Sequence, residues 1–582
     1  MISMIIKLYG LFFLFSGTLQ AQLLEVCNFT DHPKVQLSIR EIEQRSPVVL
    51  VQSLPKNLKV CFKKFNKKER VTHTLGAYQP KKNKIYLSKS LLTGDVDGVS
   101  LMRVLWHELA HVYDHQHRAS RNLDFLYLSH WRRSLFGFQA SNELLKYTFD
   151  PYQNSSPEEG FAVGFEAFME DSEFVIRRPN LYQFFRKEFD IEPFPKNRNY
   201  FPETTVTLRR GLTQIEPFIL EKSRFYGADY LYATPGSSQS SRWGHSMLRL
   251  IFCRPGREPS EQCRKDLNHH LVVSFRADPG FSLVTPLLGI FGGYPSRIFM
   301  MSLSQIIQEY TRGSARELRS YPLHFNDEEK ERFLTAVQET YWSYRGRYWF
   351  VTNNCATETL RLLKMTFQNN RFYKKRIVTP KGLYKALRSE NKVSQGLFKD
   401  RTVAIQKSYL FPSIAPDIDW AMDAMSYAQA HKKRKKYLKN YSFQKRKDFY
   451  EKYTFTDRAE VTRFMKLEEW VGEQKHKKLK DQVLRKNSSL LFLKNIYKTV
   501  ESVSSEHLRS SGYGIPMFKD FSLSEKKYED LAQVLEKQKT EYEVQVRKDF
   551  PNIVRELEGA EKNKNFLVEK LSFFLKRPLQ IK

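Results

Sequence analysis

The sequence predicts an α+β multidomain chain, and three changes of texture along its 582 residues predict it. The first part mixes short alternating runs with an apolar helix that carries His107-Glu108-Leu109-Ala110-His111. From Thr204 to about Tyr373, aromatic and aliphatic residues alternate with the period of β-strands. From about Tyr427, glycine becomes scarce and Lys, Glu and Gln dominate, which is the composition of long helices. A chain of this length implies two to four domains. The expected boundaries are a leader at 1–21, domains at 22–203 and 204–375, a connecting segment at 376–426 and a basic helical tail at 427–582. There is no internal repeat at solenoid periods.

Residues 1–21 read as a secretory signal peptide. Lys7 gives the positive start, Leu11 to Phe15 the apolar core, and Leu19-Gln20-Ala21 the cleavage site. The apolar run is too short for a membrane span, and no lipobox precedes Cys27. The mature chain is therefore expected to be soluble and exported, to the periplasm or beyond. Five cysteines enter an oxidising compartment. Cys27 can pair with Cys61 and Cys253 with Cys263, which leaves Cys355 as a candidate reactive thiol, although other connectivities stay open. The net charge of +31 favours anionic partners of the cell envelope: phospholipid headgroups, lipopolysaccharide or a cell-wall polymer. Nucleic acid is disfavoured, because the chain has no nucleic-acid motif and opens with a leader.

The spacing of His107 and His111 puts both imidazoles on one helical face, where they can hold one Zn²⁺, with Glu108 beside the metal as general base. Val104, Leu105, Trp106, Leu109, Ala110 and Val112 give that helix apolar cover. The motif resembles the zincin metallopeptidases. About fifty residues on, a second amphipathic helix opens after Pro157, and Glu159-Gly160-Phe161-Ala162 resembles the gluzincin E-x-F-A segment. The resemblance implies Glu159 as the third zinc ligand and Tyr152 as a tyrosine near the metal. Relatives often carry a glutamate four residues after the ligand, where this chain has Val163. Lys84 to Leu87 alternates and is expected to be the edge strand along which peptide substrates lie.

A second constellation lies in the β-rich part. Residues 241–250 read as a strand starting at Gly244, with His245 at its head, and residues 270–276 as another, with His270, Val272 and Ser274 on one face. Cys355 opens a helix continued by Ala356, Leu360 and Leu363; Asn353 or Asn354 can cap it, and Glu358 suits its first turn. A thiol at a helix N-terminus has a stabilised thiolate, and with a histidine nearby it becomes a nucleophile. Five stretches, in order, resemble the Lnb N-terminal periplasmic domain over about residues 205–375. They are the Gly-His strand, Phe291-Gly292-Gly293-Tyr294-Pro295, Glu309-Tyr310, the run from Arg316 to Tyr321, and Asn354-Cys355-Ala356-Thr357. That family looks related to circularly permuted papain-like NlpC/P60 enzymes, and Lnb itself is a lipoprotein N-acyltransferase that works through a thioester. The resemblance implies Cys355 as nucleophile, His245 as base, His270 or Ser274 as the orienting residue, and the Cys355 N–H as part of an oxyanion hole. The apolar stretch from Phe281 to Met301 reads as core.

The expected architecture is thus a zincin-like domain, a permuted papain-like (NlpC/P60-type) domain and a basic α-helical tail. The leading expectation is a cell-envelope cysteine enzyme, an acyltransferase or an amide or ester hydrolase, joined to a zinc peptidase-like module. Its substrate would be a peptide, a lipoprotein or an acyl donor. The alternatives are an envelope zinc peptidase with the Lnb-like part as a binding module, and a non-catalytic envelope-binding scaffold.

Overall fold

A computed structural model of the chain describes residues 23–65, 75–96, 98–132, 141–142, 150–194, 204–210, 214–236, 241–277, 294–344, 346–350, 353–368, 370–373, 375, 377–425, 440–486, 490–492, 494–495, 514–515 and 525–576. The leader at 1–21, the lysine run from His431 to Lys436 and residues 281–293 of the apolar stretch lie outside the described residues. The chain is α+β and forms two compact units, one of residues 1–142 and 149–200, the other of 143–148 and 201–582. Among the described residues, no helix is long and apolar enough to cross a membrane.

In the first unit, helix α1 (Pro33–Arg45) accompanies strands β1 (Glu25–Val26), β2 (Lys59–Lys63), β3 (Gly76–Gln79) and β4 (Lys84–Ser88). Their order is β1-β2-β4-β3, with β3 antiparallel to β4. The expected edge strand is therefore corrected. β4 is hydrogen-bonded on both sides, and its alternation reflects Ile85 and Leu87 entering the core; among the described residues β3 stands at the edge. The Cys27–Cys61 disulfide ties the chain beyond β1 to β2. Helix α2 (Leu101–His117) starts where the Ser100 side chain accepts from the Arg103 N–H and stops at Arg118, whose φ of 53° is left-handed. Helix α3 (Pro157–Glu170) begins with proline at its first position and Ser156 as cap. The two helices pack through aromatic side chains: Trp106 meets Phe165 edge-on at 5.9 Å, and Phe161, Phe165 and Phe168 continue onto Phe185 and Phe189 of α4 (Pro179–Phe189).

The second unit is built on a seven-stranded antiparallel sheet: β5 (Phe225–Ala233), β6 (His245–Phe252), β7 (Leu271–Ala277), β8 (Tyr294–Ser302), β9 (Leu318–Pro322), β10 (Gly346–Tyr348) and β11 (Leu410–Phe411). Its order is β10-β8-β7-β6-β5-β9-β11. Helices α5 (Asp327–Ser343) and α6 (Cys355–Phe367) complete the domain, and α6 lies against β6 and β7. The Cys253–Cys263 disulfide closes the loop after β6.

The lysine-rich C-terminal helices are not a separate arm. Helices α7 (Ala415–Ala424), α8 (Phe443–Lys452), α9 (Arg458–Val483), α10 (Glu525–Asp549) and α11 (Pro551–Lys576) follow the sheet. Ile418, Ala421 and Met422 share one core with Tyr450, Phe464, Trp470 and Leu567, so the expected break at 426/427 cuts through a core. Inside it, the fully buried Arg446 donates to both Glu468 oxygens at 2.7 and 3.0 Å, and Glu468 also accepts from the Tyr450 hydroxyl at 2.7 Å. Arg446→Ala should cost this unit about 3–5 kcal/mol in denaturant unfolding, because a buried carboxylate loses its partner. A loss under about 1 kcal/mol would show the pair to be solvated.

Candidate functional site

The faces of α2 and α3 that meet bring three ligating groups to one point. His107 Nε2 and His111 Nε2 lie 3.1 and 3.2 Å from the same Glu159 oxygen, and 3.2 Å from each other. Ligands about 2.0–2.1 Å from a tetrahedral zinc stand about 3.3 Å apart, so this triangle fits the ion. Among the described residues, it is the group whose His, Cys, Asp and Glu donor atoms converge in this way.

A second acid sits behind this triangle. Glu166, seven residues after Glu159 on the same face of α3, lies 3.5 Å from His107 Nδ1 and is held by Arg103, whose Nε donates at 2.6 Å. A carboxylate on the far nitrogen of a ligating histidine fixes its tautomer and raises its basicity. Val163, one turn after Glu159, is core. The sequence signal for Glu166 was the i, i+7 repeat from Glu159, which returns to the same helical face after two turns.

Glu108 is 4% exposed, and its Oε2 has no hydrogen-bond partner among the described residues. Burial pushes its carboxyl up, against the two imidazoles and the Tyr78 N–H that it accepts from. β3 reaches this close because residue 76 is glycine: a Cβ there would stand 2.4 Å from Glu108 Oε1. Burial opposes charge on His107, yet Glu159 and Glu166 outweigh it and raise the imidazole to about 10. Burial likewise opposes the charge on Glu159, but the two imidazoles hold its carboxyl well below the usual range. Tyr152, half exposed, hydrogen-bonds Glu159 and stands 6.1 Å from the His107 ring. The site opens into a cleft of about 1310 Å³.

In the second unit Cys355 is the free cysteine, 5% exposed, at the first position of α6. Asn354 caps that helix, its Oδ1 accepting from the Ala356 and Thr357 N–H groups; Asn353 bonds instead to the Arg347 carbonyl. The thiol lies against the backbone N–H of Ser246, the residue after His245, and against the Tyr348 hydroxyl. No hydrogen bond joins Cys355 to His245. His245 Nε2 pairs with Ser274 Oγ at 2.9 Å, leaving Nδ1 as the nitrogen available to a thiol. Its ring stacks on Tyr310, and the Arg276 and Arg316 guanidiniums lie over the same tyrosine. Arg276 also donates to Ser274 Oγ at 3.0 Å.

Of the two residues expected to orient His245, Ser274 is the one that hydrogen-bonds it and His270 does not. His270 is buried near the far end of the β6–β7 pair, where Arg249 donates to its Nδ1 at 2.9 Å and its Nε2 contacts the Cys263 carbonyl at 2.8 Å. The Cys355 N–H points at the Tyr348 hydroxyl, at 3.4 Å. Burial pushes the Cys355 thiol up in spite of three nearby N–H donors, and burial with Arg276 and Arg316 pushes His245 well down. Both shifts favour the uncharged forms, where the helix start alone suggested a thiolate.

Residues 224–389 match the Lnb N-terminal periplasmic domain. The match contains His245, Ser274, Tyr310 and Cys355. Residues 116–198 match a domain of unknown function (DUF7844), a span that includes Glu159 and Glu166. Comparison with curated proteins and with solved structures returns no match.

Two outcomes follow from these geometries. Glu166→Ala should keep the ligand triangle but weaken zinc binding about 10- to 100-fold in a chelator competition; an unchanged affinity would make Glu166 a bystander. Alkylation of Cys355 should rise with a midpoint above the ~8.5 of a free thiol. A midpoint below it would mean that a thiolate–imidazolium pair forms after all.

Proposed function

We propose that the first unit is a gluzincin-type zinc peptidase of the cell envelope. The observation that carries this reading is the triangle of His107, His111 and Glu159 beside an unpartnered, buried Glu108 oxygen. Bound there, zinc supplies Lewis-acid polarisation of a scissile carbonyl and of water. Glu108 takes a proton from the water that attacks the amide carbonyl and returns it to the leaving nitrogen. Its burial suits this exchange, because a carboxyl held in a poor dielectric keeps a proton more readily than an exposed one. The free edge of β3 offers a substrate backbone its hydrogen bonds, and Gly76 lets that edge approach Glu108.

A second chemistry belongs to the other unit, and the thiol's seat against the Ser246 N–H beside His245 favours it, together with the Lnb match. In this reading Cys355 Sγ attacks an acyl or amide carbonyl while His245 accepts the thiol proton. The proton then goes to the departing oxygen or nitrogen, and a thioester remains for water or an amine to resolve. The papain-like ancestry implied by the resemblance is part of this reading. The Lnb match also supports a periplasmic or envelope location, and the charge of +31 suits contact with its anionic surfaces.

Glu108→Gln should retain zinc and lose about 10²- to 10⁴-fold of amide hydrolysis by the metal-loaded chain. Cys355→Ala should leave that hydrolysis and the zinc content unchanged while removing transfer from a thioester-forming acyl donor. If Cys355→Ala abolishes the zinc-dependent hydrolysis, or Glu108→Gln leaves it intact, the assignment of chemistry to residues is wrong.

A further inference from the structure

The helical face that carries the histidine pair does not end at His111. His107, His111 and His115 recur at intervals of four, so they share one side of α2, and Arg118 is the left-handed residue at which that helix ends. His115, Arg118 and Arg121 line the same cleft as the metal ligands. Arg118 lies seven residues beyond His111, about 10 Å along the axis at ~1.5 Å per residue.

The turn that follows is built to hold two guanidiniums together. Ala119–Arg121 is one turn of 3₁₀ helix, closed by the Arg121 N–H donating to the Arg118 carbonyl at 2.9 Å. Arg118 stands at the left-handed start of the turn and Arg121 at its end, three residues on, and both line the cleft. The turn is anchored from below: Asp114, buried, accepts from the Ser120 N–H at 2.6 Å and from its hydroxyl at 2.8 Å. Neither Arg118 nor Arg121 has a carboxylate partner among the described residues, whereas Arg103, Arg264, Arg276, Arg312 and Arg446 are each paired with an acid. Of the carboxylates that line the cleft, Glu108, Glu159 and Glu166 stand at the metal site, Asp114 lies under the turn, Asp150 is a cap, and Glu158 opens α3 beside Glu159. The two arginines thus bring positive charge to a cleft whose metal end is acidic.

We propose that Arg118 and Arg121 form a carboxylate-binding subsite, so that the substrate of the first unit is a peptide, or another amide, with a carboxylate about three residues from the bond that is cut. The span follows from the ~10 Å offset and the ~3.3 Å that one extended residue covers. A guanidinium fork matches a carboxylate in a bidentate fashion, and two forks in one cleft favour a dianionic or doubly bonded group over a neutral amide. The inference rests on the metallopeptidase reading, in that it takes the cleft as the place where an amide substrate lies.

The test uses full-length, zinc-loaded Glu108→Gln protein and fluorescent peptide hydroxamates, which fix the register by seating the hydroxamate on the metal. In two series, extended on either side of the hydroxamate, the third residue is Asp, Asn, or the chain end as free acid or amide. Binding is read by anisotropy at physiological salt, with zinc content measured for each variant. In one series an acid should bind about tenfold or more tightly than its amide. Whether Asp or the free acid gains more separates an acidic side chain from a chain end. Arg118→Glu with Arg121→Glu should abolish that preference at unchanged zinc content, while Lys81→Glu with Lys82→Glu, exposed and outside the cleft, should leave it. Acid and amide binding alike, or a preference that survives the arginine reversal or is lost equally in the lysine one, overturns the subsite. Failure of the neutral hydroxamates to bind in a zinc-dependent way counts instead against the metallopeptidase reading. An arginine-dependent preference for acid would stand even then.

Discussion

The packing of α2 against α3 decides where three donor atoms meet, and the first unit is arranged around that contact. An i, i+4 histidine pair specifies one face of one helix. It becomes a metal site only when a second helix presents a carboxylate at a fixed rotation and height. Here the rotation is set by large aromatics, with Trp106, Phe161, Phe165 and Phe168 buried between the helices and α4. The rim is set by polar contacts, the Trp106 indole N–H donating to Glu170 at 3.0 Å and Arg103 gripping Glu166. A dense aromatic interface tolerates little sliding, because a shift of one residue would exchange buried rings for charged groups. The same rigidity delivers Glu159 and, two turns later, Glu166.

What could be read in the sequence was whatever depends on a short period. Helical spacing gave the ligand helix and its two histidines; the capped, proline-opened segment gave α3; the glycine at 244 and the asparagine before Cys355 gave the ends of β6 and α6. Both disulfides also follow the expected pairing, Cys27 with Cys61 and Cys253 with Cys263. What could not be read depends on partners remote in sequence. Strand order made β3 the edge in place of β4, and nothing within Lys84 to Leu87 encodes which neighbour lies beyond it. His270 and Ser274 share a strand face, and only the register with β6 puts Ser274 beside the His245 end. The C-terminal helices looked like a solvated arm because they are rich in lysine, but apolar stripes on α7, α8, α9 and α11 suffice for a shared core.

The thiol site shows two physical terms in opposition. A helix start favours a thiolate, and burial disfavours it; with Cys355 enclosed by the sheet and by Tyr348, burial prevails. His245 is pushed down by its own burial and by two nearby guanidiniums, so the surroundings of both groups oppose charge. Tyr310 links those guanidiniums to the ring, and its segment is held from the other side by the C-terminal helices. Gln474 donates to the Gly313 carbonyl at 2.9 Å, the Ile414 N–H to that of Thr311 at 3.1 Å, and Arg312 pairs with Glu469. The helical region is therefore part of the scaffold behind the site as well as the source of much of the chain's positive charge.

The central claim is that zinc binds through two histidines and a glutamate. Zinc-edge X-ray absorption of the purified full-length protein tests it most directly. The account predicts one zinc per chain with a first shell of nitrogen and oxygen only, two histidine nitrogens among them, at about 2.0–2.2 Å. A shell containing sulfur at about 2.3 Å would put the metal on Cys355. That result, or a protein that retains no zinc, would contradict it.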